Sequence, residues 1–284
     1  MDINQKNQIL AKYITSPAGR QRIAASMTQP LRTKRDYQSV ARKAFYVEQL
    51  PDGALPIYDK DASVVGYMVG DEGQNIIAVQ KPKRMLFDLF VIAANPEIPL
   101  EEIKAKRFDL LERSIDLGKS AIMAEEDVKA FAVLDAVGVD PINPNTTITV
   151  TGNLTANALA DAFSNIERND IRVANVFMNA KDFSDLRKWD RDTLDPVTQS
   201  TLLKSGIMNT IWGANIVTSR VVEQGSVYVC GEPEFLGRIP VRTDLTILSA
   251  DDPKNRMVGF SMFEQIAVGC HNPLAFQKLT ITRV

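Results

Sequence analysis

Residues 100–137 constrain the fold more than any other part of the chain. They read LEEIKAKRFDLLERSIDLGKSAIMAEEDVKAFAVLDAV, far longer than the three or so turns of an ordinary globular helix. Ile103, Leu110, Leu117, Ala121, Ala124, Val128 and Phe131 recur at helical spacing and predict one apolar stripe, widened by Phe108, Leu111, Ile115 and Ile122. Opposite charges four residues apart mark the wet face: Glu102 with Lys106, Asp109 with Arg113, Glu125 with Lys129. Pro99 suits a first helical position, Glu101 and Glu102 suit the positive end of the helix dipole, and Gly138 and Pro141 end the run. Such a rod is roughly 55 Å long, more than the radius of a compact domain of this size. Gly118, mid-rod, costs about 1 kcal/mol relative to alanine and predicts a bend. The rod is either a long core helix in an ordinary α+β enzyme or a spine joining separate lobes of an extended molecule.

Composition narrows the setting. With 284 residues, 45% of them hydrophobic and 24% charged, the chain can build a real core as one large domain or two small ones. A formal net charge of −2 gives no global basic field for nucleic acid. The charge is uneven, however. Up to residue 50 the basic Lys6, Lys12, Arg20, Arg22, Arg32, Lys34, Arg35, Arg42 and Lys43 face only Asp2, Asp36 and Glu48. Cys230 and Cys270 are too few for a disulfide scaffold and fit a reducing compartment. MDINQKNQIL lacks the pattern of a signal peptide, and no apolar stretch is long enough to span a bilayer. The expectation is a protein made in a cytoplasm and kept there until something releases it.

Along the chain, residues 1–47 read as polar helical pieces broken by Pro17 and Pro30, with small apolar faces at Ile9, Leu10 and Tyr13 and at Ala41, Ala44, Phe45 and Tyr46. Alone they bury little, so the segment reads as an arm that needs another surface. Strand candidates at 64–69 and 76–79, with Asp71-Glu72-Gly73 between them, predict a β-hairpin. Its charged flanks, Asp59-Lys60-Asp61 and Lys81-Pro82-Lys83-Arg84, predict that it projects and rests its tip on a neighbouring subunit. MLFDLFVIAANPEI reads as a buried strand leading into the helix. After a boundary at 140–145, Thr147 to Val150 read as a short strand. Thr155 then caps a helix to about Arg168 with Leu159, Ala162, Phe163 and Ile166 on one face. Residues 171–178 read as a strand and Asn179 caps the helix 180–189. The polar loop 190–199 follows, then strand-like runs IWGANIVTSRVV, SVYVCG, IPVRTDLTILSA, MVGFSMFEQIAVGC and AFQKLTITRV. In the last of these Leu279 and Ile281 alternate with Lys278, Thr280 and Thr282, as in a half-buried strand.

Catalysis finds no foothold. Gly118-Lys119-Ser120 resembles the end of a phosphate-binding loop, but Arg113 stands where the motif needs its first glycine, inside a helix. Asp190, Asp192 and Asp195 resemble part of a calcium loop, yet the mid-loop glycine is missing and Thr201 replaces the final glutamate. Cys270 and His271 are neighbours, so on an extended segment their side chains diverge and cannot form a nucleophile–base pair. His271 is the only histidine, and no serine stands in a G-x-S-x-G elbow. Asn145-Thr146-Thr147 and Asn153-Leu154-Thr155 match the glycosylation pattern but carry no weight without secretion. No catalytic, cofactor-binding or metal site is predicted.

The second half carries a recognisable series. Phe177-Met178-Asn179 opens a short helix holding Asp182 and Leu186. Next come Ile211-Trp212-Gly213-Ala214-Asn215-Ile216-Val217 and Val227-Tyr228-Val229-Cys230-Gly231-Glu232. Gln265-Ile266-Ala267-Val268-Gly269 and Asn272-Pro273-Leu274-Ala275-Phe276 close it. In this order, behind a projecting hairpin and a long helix, the series resembles the major capsid proteins of tailed bacteriophages. The resemblance implies an α+β fold of the HK-ninety-seven type. Its parts would be an N-terminal arm (1–50), an extended loop (51–83), a peripheral domain with the spine helix (84–145 and 250–284) and an axial domain (146–249).

What the resemblance implies for function is a structural, non-enzymatic protein. It would self-assemble through hexameric and pentameric capsomers into the icosahedral shell of a virion enclosing double-stranded DNA. Assembly would take place in the bacterial host cytoplasm, with no membrane contact. Expected partners are other copies of itself, a portal, decoration proteins, and packaged DNA contacted non-specifically through the basic arm. Some members carry a scaffolding segment ahead of the arm; a chain numbered from Met1 without one implies a separate scaffolding protein. Lysine–asparagine cross-linking is not carried over to Lys81, Lys83, Asn255 or Asn272, which lie in no matching motif. The loop 190–199, with Asp190, Asp192 and Asp195 against Arg191, is expected near a capsomer axis. An encapsulin nanocompartment of the same fold and a cytosolic α+β enzyme are the rival expectations.

Overall fold

A computed structural model of the chain describes residues 37–51, 53–60, 83–101, 110–140, 143, 145, 147–189, 210–252 and 254–283. The hairpin strands at 64–69 and 76–79, the arm up to residue 36 and the loop 190–199 lie outside them. The chain forms two compact units. The first gathers Ile92–Glu125 and Leu245–Glu264; the second gathers Ser39–Val91, Glu126–Asp244 and Gln265–Val284. The long helix α1 (Leu110–Val139) runs through both sequence ranges.

In the first unit, strand β5 (Glu97–Pro99) pairs antiparallel with β12 (Met257–Ile266), Pro99 opposite Met257 and Glu97 opposite Gly259. Pro99 therefore closes a strand, and helical backbone begins at Leu100. A tight turn precedes β12. Asp252 and Met257 exchange two backbone hydrogen bonds of 3.0 Å, and the Asp252 carboxylate accepts from the amides of Lys254 and Asn255. Helix α1 is continuous through Gly118. The tip of the Met262 side chain packs over it: a Cβ there would stand 2.7 Å from Met262 Cε, so a larger residue would require that flexible tip to shift.

The second unit is built on a six-stranded sheet in the order β6-β14-β10-β7-β9-β8. Its strands are β6 (Ile148–Thr151), β7 (Val173–Met178), β8 (Thr210–Ile211), β9 (Ala214–Thr218), β10 (Ser226–Gly231) and β14 (Phe276–Thr282). Central β10 is buried at every residue, as a strand covered on both faces should be. On β14, Leu279 and Ile281 are buried while Lys278 and Thr280 are half-exposed and Thr282 is exposed, the alternation that the sequence predicts. Helix α2 (Ala156–Glu167) starts where Thr155 accepts from the Ala158 amide and buries Leu159, Ala162, Phe163 and Ile166, as predicted. Helix α3 (Ala180–Leu186) starts where Asn179 accepts from the Lys181 amide, and it ends three residues short of the expected 189.

Two sequence expectations fail here. The run IWGANIVTSRVV is a hairpin and not one strand: Trp212 (φ 48°) and Gly213 (φ 86°) make the left-handed two-residue turn between β8 and β9. MLFDLFVIAANPEI is likewise not one buried strand. It divides into the end of β3 (Lys83–Leu86), then β4 (Phe90–Ala94) and β5, and within β4 only Ile92 is buried.

The apolar stripe of α1 is met only in part. Phe131 and Ile122 are buried as predicted, but Leu117, Ala121 and Val128 are exposed, and Glu126, Asp127, Ala130 and Leu134 are buried instead. The buried face lies roughly a third of a turn from the predicted one, at about 100° per residue. Aromatic packing in the second unit fixes it. Phe131 stacks on Tyr228 at 5.3 Å and meets Phe177 edge-on at 5.8 Å. One turn on, Asp135 accepts from the Tyr228 hydroxyl at 2.7 Å and from Lys278 Nζ at 2.6 Å. Gly138 does not end the helix, which runs on through Val139; Gly138 packs against Lys278 and Phe276.

Candidate functional site

Two polar clusters of the second unit lie where chain segments beyond the described residues begin. The first is the root of the predicted hairpin. Strands β2 (Ile57–Lys60) and β3 pair antiparallel, Ile57 opposite Leu86 and Lys60 opposite Lys83. The charged flanks are thus themselves a two-stranded ribbon, with Arg84 Nε donating to Asp59 at 3.1 Å. Pairing follows from the β-branched and aromatic residues at 57 and 58; the charges lie at the solvated end. The tip at 71–75 lies outside the described residues.

A two-stranded ribbon is marginal by itself, and this one is braced. Strand β1 (Tyr46–Gln49) pairs in parallel with the start of β11 (Gly237–Ser249), Glu48 opposite Pro240. One oxygen of Glu48, Oε2, accepts from the Tyr58 hydroxyl at 3.1 Å and from Arg238 at 2.8 Å. The Arg238 guanidinium lies over the rings of Tyr46 and Tyr58, 5.5 and 5.2 Å from their centroids. Tyr58 also packs on Phe87 at 5.3 Å. Burial, then the Glu48 carboxylate, push the Tyr58 hydroxyl up to about 12, so it stays a donor at any physiological pH. These groups line a cleft of about 740 Å³ with Phe235, His271 and Leu274. The arrangement holds a ribbon in place.

The second place is the end of the arm. Residues 39–45 lie on the helix, with Ala41, Ala44 and Phe45 buried. The 3-10 turn Ala41–Lys43 has no cap of its own; Asp127 of α1 supplies one. Its carboxylate accepts from Ser39 Oγ at 2.8 Å and from the amides of Val40 and Ala41, both at 2.9 Å. Beside it Glu126 accepts from Arg42 Nε at 2.8 Å, and Asn175 donates to the Lys43 carbonyl. Asp127 and Glu126 are 0% and 1% exposed. Burial is the largest influence on Glu126 and lifts its carboxyl above the usual range, against the pull of Arg42. Sequence reasoning missed this pair. The available signal was the row Ile122, Glu126, Ala130, Leu134, where an acid interrupts apolar residues at a four-residue step.

The residues singled out for catalysis come apart. Gly118, Lys119 and Ser120 are mid-helix. Cys270 sits on β13 (Gly269–Cys270), its thiol donating to the Leu236 carbonyl and pushed up to about 12 by burial. Burial raises the Cys230 thiol as well. His271 lines the cleft instead. Asn145 is buried and donates to the carbonyls of Leu274 and Phe276, which leaves it no exposure as an acceptor for a glycan, while Asn153 is exposed. Asn255 belongs to the Asp252 turn and Asn272 caps a 3-10 turn. Asp190, Asp192 and Asp195 lie outside the described residues. Among the described residues no three His, Cys, Asp or Glu side chains are grouped to hold a metal ion, and no helix is long and apolar enough to cross a membrane.

No protein-family model and no curated protein matches the sequence. Solved structures do match the fold. The mature capsid subunit of bacteriophage PhiM1 superposes with a TM-score of 0.68 at 11% identity, covering 91% of each chain. The capsid of cyanophage P-SCSP1u gives 0.70 at 11% identity, over 91% of this chain and 92% of that one. The capsid of the native GTA particle gives 0.63 at 15% identity, over 95% and 98%.

Proposed function

We propose that this chain, whose fold is the HK-ninety-seven-type α+β fold of tailed-phage capsid subunits, is a major capsid protein. It would assemble into an icosahedral virion shell around double-stranded DNA. One observation carries the reading: the likeness extends over whole subunits, about nine-tenths of both chains in each comparison. At 11% identity, sequence has drifted while the arrangement of strands and helices has held, as expected where selection acts on a shape that must fit copies of itself.

In this reading residues 1–50 are an arm, 51–83 an extended loop, 84–145 with 250–284 the peripheral domain and 146–249 the axial domain. The braced ribbon supports it, because a loop that must reach a neighbour needs a rigid root. The partners are other copies in hexameric and pentameric capsomers, a scaffolding protein, a portal and decoration proteins. Packaged DNA is contacted through phosphates, since the basic excess lies within residues 1–50. Shells would assemble in the host cytoplasm, and no catalytic role is proposed. The test is to express the chain alone and with its candidate scaffolding protein, then to size and image the product. Closed shells or ring-shaped capsomers are expected. A stable monomer or dimer under both conditions would overturn the reading.

A further inference from the structure

The β8–β9 turn is strained and exposed at the same residue. Trp212 holds a φ of 48°, in the left-handed region that bulky side chains rarely adopt. Asparagine ahead of Gly213 would make such a turn with less strain. Burial does not account for the tryptophan. Its indole meets the buried Phe163 of α2 edge-on, 5.3 Å between centroids, yet Trp212 stays 53% exposed. The exposed Arg172 stands beside it: a terminal nitrogen of its guanidinium lies 3.3 Å from where a Cβ would sit on Gly213. The turn lies at one edge of the six-stranded sheet, where β8 pairs only Thr210 and Ile211 with β9. So short an edge strand offers little backbone to pair with, and the turn presents side chains instead.

An open indole beside a guanidinium has the composition of an interface anchor, since tryptophan and arginine carry much of the energy of protein–protein contacts. A phosphate backbone fits poorly. The exposed Asp161, Glu167 and Asp170, on α2 or in the turn after it, outnumber the exposed Arg168 and Arg172. A second copy of this chain, with a formal net charge of −2, meets no such barrier. We infer that Trp212 is an anchor of the contact between neighbouring copies, its indole set into the surface of the adjoining subunit and Arg172 flanking it. The inference rests on the proposed reading of the chain as a shell subunit. Burying the open half of the ring on assembly then offsets the strain of the turn.

Trp189 and Trp212 are the two tryptophans of the chain, so in Trp189→Phe the emission reports Trp212 alone. The full-length variant is expressed with the candidate scaffolding protein, and capsomers are separated from free subunits by size. Trp212 emission should shift to shorter wavelength in capsomers, and its quenching by acrylamide should fall. Trp212→Asn in the otherwise wild-type chain should keep or raise the urea midpoint, while the concentration needed for assembly rises by about tenfold or more. Capsomers in which Trp212 stays as quenchable as in free subunits would overturn the inference and leave the shell reading standing. So would Trp212→Asn subunits that are less stable yet assemble at the wild-type concentration, the mark of a residue serving only the fold. A double-stranded DNA fragment that shifts Trp212 emission in free subunits would also overturn it. A wild-type chain that stays monomeric or dimeric would overturn both.

Discussion

Two buried acids of the second unit, Asp185 and Glu126, are shifted in opposite directions. Asp182 and Asp185 lie one turn apart on α3 and are 0% and 1% exposed. Arg283 donates to both, at 2.6 and 3.0 Å, while the Gly225 amide donates to Asp182 and the Leu154 amide and Lys188 to Asp185. Burial alone would raise Asp185, but the amide, Arg283 and Lys188 together outweigh it and its carboxyl lies below the usual range. Arg283 is correspondingly raised, chiefly by its bond to Asp182. At Glu126 burial wins and the carboxyl lies above the usual range. The residue types and the depth are alike, so what differs is the supply of donors. The α3 pair is a permanent tie joining the start of α2, the turn before β10 and the end of β14. At the α1 pair Arg42 donates to Glu126, and Asp127 accepts from Ser39 and the amides of Val40 and Ala41.

The comparison can be broken most severely at Arg283. Arg283→Ala leaves two buried carboxylates with too few donors and should cost roughly 3–5 kcal/mol, read as a lowered urea midpoint with unchanged slope. It should also reverse the sign at Asp185. In the wild type the lowered carboxyl contributes stability that is present above the unfolded-state value and lost as pH falls through the lower folded one. Without Arg283 the site should instead prefer protons, and the mutant should lose less stability than the wild type on acidification. Equal pH dependence in both would show that Arg283 is not what sets the tie.

Asp127→Ala comes next, at about 1–2 kcal/mol, because it removes the cap from the 3-10 turn while its backbone donors stay partly buried. Thermal unfolding checks the size, and a change below about 0.3 kcal/mol would mean water replaces the carboxylate at no cost. Glu126→Gln should fall within about 1 kcal/mol of wild type at neutral pH, on the stabilising side. Its raised carboxyl gives stability fully present below the unfolded-state value and lost as pH rises, so the advantage of glutamine should vanish in acid. The smallest effect is expected at the ribbon. Arg84→Ala breaks an ion pair whose partners are mostly solvated, and should change stability by less than about 0.5 kcal/mol.

Local chemistry was readable wherever a local rule decides the outcome. The Thr155 and Asn179 caps, the buried face of α2 and the alternation of β14 all follow from neighbours within a few residues. The β8–β9 hairpin was misread because a tryptophan in the left-handed region is rare, and Trp-Gly does not advertise a turn as Asn-Gly does. Spacing alone argued against the catalytic candidates, and Gly118, Lys119 and Ser120 lie within the helix that periodicity predicts. The two braced roots could not be found that way. Glu48 and Arg238 are 190 residues apart, and Val40 and Asp127 are 87 apart.

By itself the sequence determined that this chain holds a very long helix, an α+β mixture and a run of strands in the capsid-subunit order, since these rest on periodicity and on short motifs. Only the tertiary structure decided which face of α1 is buried. Apolar side chains occur around much of that helix, so its own residues allow more than one stripe. The choice fell to partners distant in sequence. Phe177 and Tyr228 receive Phe131, and residues 39–45 supply donors that let Glu126 and Asp127 enter the interior. A buried carboxylate is tolerable only once its hydrogen bonds are met, and the donors Ser39, Val40, Ala41 and Arg42 come from 84 to 88 residues away.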